Sequence, residues 1–262
     1  MIYLHGHQEA VLRSHRSRTA QNSAAYLLPV LEPGHRLLDV GSGPGTITCD
    51  LAGLVADVVA IEPSEAALDL TREEATRRGV TTIDFQVADV HRLPFADDSF
   101  DVAHAHQVLQ HLPDPVQALR EMARVVRPGG YVAVRDSDYS GFLWHPASEA
   151  LDDWLALYLR LAREAGGEPD AGRWYPTWAS AAGLTDVRIT SSNWCYTSAA
   201  DRGWWAGMWA DRVVGSDFAG RALASRVPEA ELHRLSAGWT EWSGAETGLF
   251  LIPHVELLAR IG

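Results

Sequence analysis

Three groups of residues in this sequence could do chemistry. The first is Asp39-Val40-Gly41-Ser42-Gly43-Pro44-Gly45, an acid followed by a glycine-rich turn. Glycines let a backbone turn tightly and approach a ligand closely, and a helix starting behind such a turn favours partial negative charge at its N-terminus. The second is a pair of acids that each close an apolar run: Glu62 in Val59-Ala60-Ile61-Glu62-Pro63-Ser64, 23 positions after Asp39, and Asp89 in Val87-Ala88-Asp89-Val90. A carboxylate at the carboxyl edge of a sheet can accept both hydroxyls of a ribose. The third is His104 and His106, which alternate along one run and so share a strand face. Histidine suits proton removal near neutral pH, and His106 stands nearer the carboxyl end. A dinucleotide fingerprint would place its third glycine at position 46; Thr46 stands there and Gly45 comes one residue early, a register that disfavours NAD.

The elements that would position these residues alternate in a regular way. Arg36–Val40 reads as a buried strand, followed by the glycine turn and a helix over Thr46–Gly53. Val58–Ile61 is a second strand with a helix from Ser64 to Arg78, ended by Gly79; Ile83–Val87 is a third strand. Phe100–Ala105 is a fourth, and Asp114-Pro115 opens its helix as cap and first-turn residue. Arg127-Pro128-Gly129-Gly130 stops that helix and Tyr131–Arg135 is a fifth strand. Strands alternating with helices predict an α/β fold with a parallel sheet covered on both faces. A helical stretch over Glu9–Leu31 precedes this series. Beyond residue 140 lie all ten tryptophans, helices over Ala147–Ala165 and Trp174–Ala182, and strands over Asp186–Thr190 (extending toward Tyr196) and Leu249–Leu258. One domain is expected over residues 1–262: an N-terminal helical segment (1–35), a core (36–140), and a second half (141–262) with a helical cap insertion over 198–243.

The train of motifs from Arg36 to Arg135 resembles the class I S-adenosylmethionine-dependent methyltransferases, and within them the small-molecule enzymes of ubiquinone and menaquinone biosynthesis. The resemblance rests on the acid and glycine turn, Glu62, Asp89, the run Leu93-Pro94-Phe95-Ala96-Asp97-Asp98-Ser99-Phe100-Asp101, the segment His106–Leu112 and the Arg127–Gly130 stop, in that order. It implies a Rossmann-like, mostly parallel seven-stranded sheet with an antiparallel last strand, for which Leu249–Leu258 is the candidate. It implies S-adenosyl-L-methionine as cofactor, S-adenosyl-L-homocysteine as product and a small acceptor. By resemblance, Asp39, Gly41, Ser42 and Gly43 pass the methionine part, Glu62 and Pro63 the ribose, and Ala88, Asp89 and Val90 the adenine, with His106 beside them. Relatives of this type fold an N-terminal helix over the cofactor, which puts Arg16 near its carboxylate and Tyr3 near the methyl donor. Candidates for orienting or deprotonating the acceptor are His106, Asp138 and Tyr3; an apolar chamber lined by tryptophans such as Trp144, Trp204 or Trp209 is expected beyond the cofactor.

Composition narrows the alternatives. The net charge is −12, every one of the 22 basic residues is arginine, and no basic run occurs, which disfavours a sequence-independent nucleic-acid binder or an anionic membrane partner. No window has the length of a membrane span, no signal peptide is apparent, and two distant cysteines fit a reducing cytoplasm. Neither the His104–His106 pair nor His111 has metal-ligand spacing, so no metal is expected. Exposed apolar cap surface could pair two copies as a homodimer. Two rivals stand beside the methyltransferase: a non-catalytic protein binding S-adenosylmethionine or S-adenosylhomocysteine, and an NAD(P)-dependent oxidoreductase.

Overall fold

Runs such as Leu37-Leu38 and Val58-Val59-Ala60-Ile61 have apolar side chains on both faces, which only a sheet covered on both sides can bury. The computed structural model, which describes residues 9–262, places them at the centre of such a sheet. Helices α1 (Glu9–Arg16) and α2 (Ala20–Ser23) and a 3-10 turn (Leu28–Val30) lead into β1 (Arg36–Val40). Then follow α3 (Thr46–Ala52), β2 (Asp57–Glu62), α4 (Glu65–Arg78), β3 (Ile83–Val87), β4 (Phe100–His106), α5 (Pro115–Val125) and β5 (Val126–Ser137). The second half contributes β6 (Leu143–His145), α6 (Glu149–Glu164), α7 (Ala171–Ala182), β7 (Asp186–Tyr196), α8 (Ala199–Gly215), α9 (Asp217–Ala224), α10 (Glu229–Ser243) and β8 (Leu249–Arg260).

Strands run in the order β3-β2-β1-β4-β5-β8, parallel up to β5, with β8 antiparallel to it. One edge of β8 is taken along its length by β7 (Asp186↔Arg260 to Tyr196↔Phe250). The other edge is shared, first by β5 (Ser137↔His254) and then by β6 (Trp144↔Phe250). The sheet is therefore seven ranks wide as expected, and its eighth strand is a three-residue piece in line with β5. Eight hydrogen-bonded strands replace the seven of the sequence reading, because backbone turning at Tyr139–Gly141 returns Leu143 to the edge that β5 has just left.

The N-terminal segment departs from the single helical stretch expected over Glu9–Leu31. Thr19 caps a new helix, accepting from the Asn22 N–H (3.1 Å) while the Asn22 side chain accepts from the Thr19 N–H (2.8 Å). A reciprocal capping pair of this kind gives the backbone a better local option than continuing the previous helix. The break turns Arg18 out of α1, with its N–H on the His15 carbonyl.

Helices α6, α8, α9 and α10 bury an aromatic core of their own. Trp154 packs edge-on against Trp209 and Trp239, with ring centroids 4.5 and 4.8 Å apart, and Phe250 of β8 closes the cluster. Edge-to-face packing at these distances is favoured by the ring quadrupoles. Trp144 and Trp204 join the rim of this core as partly buried side chains, so they hold helices together rather than line a chamber. Among the described residues no helix is long and apolar enough to cross a membrane.

Candidate active site

The carboxyl ends of β1, β2 and β4 converge on one cavity of about 170 Å³ with an open mouth. Its rim is the loop between β1 and α3. Gly41, Gly43 and Gly45 have φ of +72°, +55° and +79°, the left-handed region that side chains strain to adopt. The loop is pinned from α4: the Thr71 hydroxyl donates to the Gly43 carbonyl (2.8 Å) and accepts from the Ser42 hydroxyl (2.8 Å). A Cβ at Gly45 would come within 2.9 Å of the Thr71 Cα, whereas a Cβ at Gly43 would meet nothing within 4 Å and would stand in the cavity. Gly45 is thus needed for packing and Gly43 for keeping the space open.

Asp39 is buried beneath the loop, and both its carboxylate oxygens are taken. Thr48 donates to one (2.6 Å) and His104 Nδ1 to the other (2.7 Å). With Nδ1 spent on Asp39, His104 presents Nε2, which is buried, makes no hydrogen bond among the described residues and belongs to a ring that lines the cavity. His106, two residues on, also lines it, and neither of its nitrogens has a partner among the described residues. Buried polar atoms are normally hydrogen-bonded, so orphans beside a cavity mark a place for ligand atoms. Burial, reinforced by the charges of Arg135 and Arg18, holds the His106 imidazole far below the usual histidine range. His254 is held down by the same causes, and burial puts His111 at about 3.

Glu62 ends β2 across the loop. The Gly43 N–H donates to its Oε1 (2.6 Å), and its Oε2 makes no hydrogen bond among the described residues. Burial pushes this carboxyl up to about 7, against the lowering effect of the Gly43 N–H and with a further rise from Asp39. Pro63, Ala88, Asp89 and Val90 complete that wall. Asp89 faces outward enough to accept from the His91 backbone (3.0 Å) and to meet the His91 ring (2.7 Å), which lowers its pKa.

Of the residues singled out in the sequence, the cavity gathers Asp39, Gly41, Ser42, Gly43, Glu62, Pro63, Ala88, Asp89, Val90 and His106. Two are not there. Asp138 is locked in a two-pronged ion pair with Arg173 (2.5 and 2.7 Å) and caps the turn at Gly141 (3.1 Å); both oxygens are engaged away from the cavity. Arg16 is exposed on α1, and it is Arg18 and His15 of the same segment that line the cavity. Tyr3 lies outside the described residues. Sequence reasoning missed Arg18 and Gln107. Gln107 follows β4 with φ +54° and spans the site: its Oε1 accepts from Arg18 (2.8 Å), and its Nε2 donates toward the Ser137 hydroxyl (3.0 Å) and His254 Nε2 (3.0 Å). The basic cluster Arg13, His15, Arg16 was the available signal for Arg18; nothing in the sequence marks a glutamine for the left-handed region.

A second, smaller hollow adjoins the first and shares His15, Arg18, Gln107 and His111 with it. Its other walls include Trp194, Trp205, Trp209, Tyr139 and Phe142. Of the tryptophans expected in a chamber, only Trp209 lines it; Trp194 is brought there by the pairing of β7 with β8, and Trp205 by α8.

A family profile described as a methyltransferase domain matches residues 38–134, the span that holds the glycine loop, Glu62, Asp89 and β4. An uncharacterized methyltransferase of Schizosaccharomyces pombe, C1B3.06c, is 32% identical over 277 residues, covering 99% of this chain and 96% of that protein. The chain belongs to the methyltransferases. Among solved structures, the YcgJ protein of Bacillus subtilis superposes with a TM-score of 0.61 at 17% identity, covering 92% of this methyltransferase and 99% of that chain. Phosphoethanolamine N-methyltransferase 2 of Haemonchus contortus, solved with S-adenosylhomocysteine, has a TM-score of 0.56 at 17% identity, covering 92% of this chain and 52% of that one. The chain is thus an S-adenosylmethionine-dependent enzyme of the general methyl-transfer class. The cavity fits that cofactor: it offers one unengaged carboxylate oxygen, an open space at Gly43, and orphaned imidazole nitrogens at its floor.

Proposed function

We propose that the larger cavity holds S-adenosyl-L-methionine in one orientation and that the smaller hollow takes the acceptor. Glu62 Oε2 receives the ribose hydroxyls, with the carboxylate aimed by the Gly43 N–H on its other oxygen. Ala88, Asp89 and Val90 face the adenine, and the stretch Gly41–Gly43 passes the amino-acid part. Asp39 acts through His104, which it orients, rather than by direct contact. The observation that carries this placement is Glu62: a half-buried carboxyl at the end of β2, fixed on one side and unengaged on the other, beside a loop whose central glycine leaves open space.

When bound, the cofactor supplies a methyl group activated by a sulfonium. What the chain adds is placement and exclusion of water, which together can remove several kcal/mol from a displacement barrier. His106 lines the larger cavity beside the seam between the two hollows, its ring 6.0 Å from that of Trp194, and burial holds it as a neutral imidazole well below the usual histidine range. It therefore accepts or donates a hydrogen bond to orient its neighbour and is a poor general base, which revises the part expected of it. Gln107 aims Arg18 at the same seam. Calorimetric titration with S-adenosylhomocysteine, NAD and NADP tests the placement. Saturable binding of the first, with the nicotinamide nucleotides bound at least a hundredfold more weakly, is the expected result; comparable binding of NAD would refute it.

A further inference from the structure

Behind the seam, where His15, Arg18, Gln107 and His111 belong to both hollows, lies a chain of hydrogen bonds whose direction is fixed by chemistry. Ser137 and His254 face each other in the β5–β8 register, so their side chains stand on one face of the sheet. Gln107 reaches over them from the end of β4. Its Nε2 lies 3.0 Å from the Ser137 hydroxyl and 3.0 Å from His254 Nε2, and its Oε1 lies 2.8 Å from an Arg18 guanidinium nitrogen. The other ring nitrogen of His254, Nδ1, lies 3.1 Å from the Ile252 carbonyl oxygen. A carbonyl oxygen only accepts, so Nδ1 carries the proton. His254 is fully buried, and burial beside Arg135 and Arg18 holds the ring neutral, so its Nε2 is bare and accepts. The group facing that nitrogen must be the amide N–H of Gln107. The other end agrees: a guanidinium only donates, so Arg18 needs the amide oxygen. A flipped amide would set oxygen against a lone pair at His254 and N–H against N–H at Arg18.

We propose that His254, which lines neither hollow itself, is a positioning residue of the methyl-transfer site: as the Nδ1–H tautomer it locks Gln107 with its carbonyl oxygen toward the seam. Gln107 and Arg18 both line the cavity and the smaller hollow, so one buried ring sets two side chains that border both. Gln107 has little freedom to compensate, because its backbone is held at φ +54° with its N–H on the Arg135 carbonyl (2.7 Å). The rings of Trp194 and His106 flank His254, with centroids 4.3 and 6.4 Å away, and keep it from turning. Without an acceptor at position 254 the amide is free to flip. Its N–H would then oppose Arg18 and displace that guanidinium within the cavity wall. The inference rests on the cofactor placement above, which puts S-adenosyl-L-methionine in that cavity.

Two substitutions separate orientation from packing. In His254→Gln the side-chain amide oxygen takes the place of Nε2 and still accepts from Gln107. In His254→Asn the shorter amide can replace only Nδ1 and its bond to Ile252. Calorimetric titration of the full-length proteins with S-adenosylhomocysteine should find the glutamine variant within threefold of wild type and the asparagine variant weakened at least tenfold. Equal affinities in the two variants, or a loss confined to the glutamine variant, would overturn the inference. Nitrogen-15 NMR of wild-type protein labelled at histidine reads the lock directly and needs no variant to bind ligand. His254, assigned by the signal missing from His254→Gln, should carry its proton on Nδ1 with Nε2 bare; a proton on Nε2 would overturn the inference whatever the variants do. Failure of S-adenosylhomocysteine to bind the wild-type protein would instead remove the cofactor placement, and the inference with it.

Discussion

Replacing Glu62 is the sharpest probe of the cofactor grip. In Glu62→Ala the two ribose hydroxyls lose a charged acceptor and the Gly43 N–H loses its 2.6 Å partner. Hydrogen bonds to a charged group contribute about 1.5–3 kcal/mol each; because the half-buried site lets water recover part of this, about 3 kcal/mol in all is expected, or on the order of a hundredfold in affinity. In Glu62→Gln the amide oxygen can still accept from Gly43 and the amine can still donate, so the loss should be nearer tenfold. The two variants also differ from the wild type in pH response. Burial raises the Glu62 carboxyl to about 7, so the ionised acceptor is filled only above that pH. If the ionised form is the one that holds the diol, affinity for S-adenosylhomocysteine rises roughly tenfold between pH 6 and pH 8 and then levels off. Both substitutions should abolish that rise, since neither side chain titrates. Calorimetric titration of the three proteins at pH 6, 7 and 8 measures all of this. An alanine variant within threefold of wild type at pH 8, or a wild-type affinity that falls with rising pH, would refute the reasoning.

Other outcomes follow from the same geometry. Gly45→Ala forces a Cβ to 2.9 Å from the Thr71 Cα at φ +79°, so unfolding should be easier by about 2 kcal/mol or more, a drop of roughly 4–8 °C in Tm by scanning calorimetry. Gly43→Ala meets no protein atom within 4 Å, so its Tm should fall by only about 2–4 °C for ~1 kcal/mol of backbone strain, while binding of S-adenosylhomocysteine weakens more than tenfold. Asp138→Ala removes a cap and an ion pair outside the cavity; Tm should fall by a few degrees with S-adenosylhomocysteine affinity within twofold of wild type, and a large loss of affinity would show that this side chain reaches the site. His106→Leu removes two orphaned buried nitrogens and should melt at or above the wild-type temperature at pH 7.5. Because the folded state holds His106 neutral, the unfolded chain takes up its proton first as pH falls below 6.5, and wild-type stability drops on that descent. The leucine variant lacks this part, so its acid-side slope in denaturant titrations should be shallower by about 1.4 kcal/mol per pH unit, and an unchanged slope would contradict a neutral buried His106.

Much of the site was legible in the sequence because its signals are local. An acid, a glycine turn and a helix start lie within a dozen residues, and apolar runs that end in Glu62 and Asp89 place those acids at the sheet's carboxyl edge whatever else the chain does. What stayed hidden depends on direction and on distant pairing. Asp138 does sit past the end of β5, as expected, but Arg173, on α7, turns its carboxylate away from the cavity. Arg18 reaches the cavity because the Thr19–Asn22 cap interrupts a periodic pattern that alone reads as one helix. Trp194 enters the hollow through the register of β7 on β8, a contact that no neighbouring residue announces. The tryptophan count pointed to an aromatic chamber; which rings line it was settled by helix packing, and most of them went into the cap's own core.

The two hollows have four residues in common, His15, Arg18, Gln107 and His111, and are otherwise built from different stretches of chain. On the placement proposed above, donor and recipient would be specified by nearly separate sets of codons. Selection can recarve the tryptophan-lined side for a new compound while the glycine loop and its carboxylate partner stay untouched. Only those four positions must satisfy both molecules, which makes them the places where a change of recipient would first be felt as a change in handling the donor.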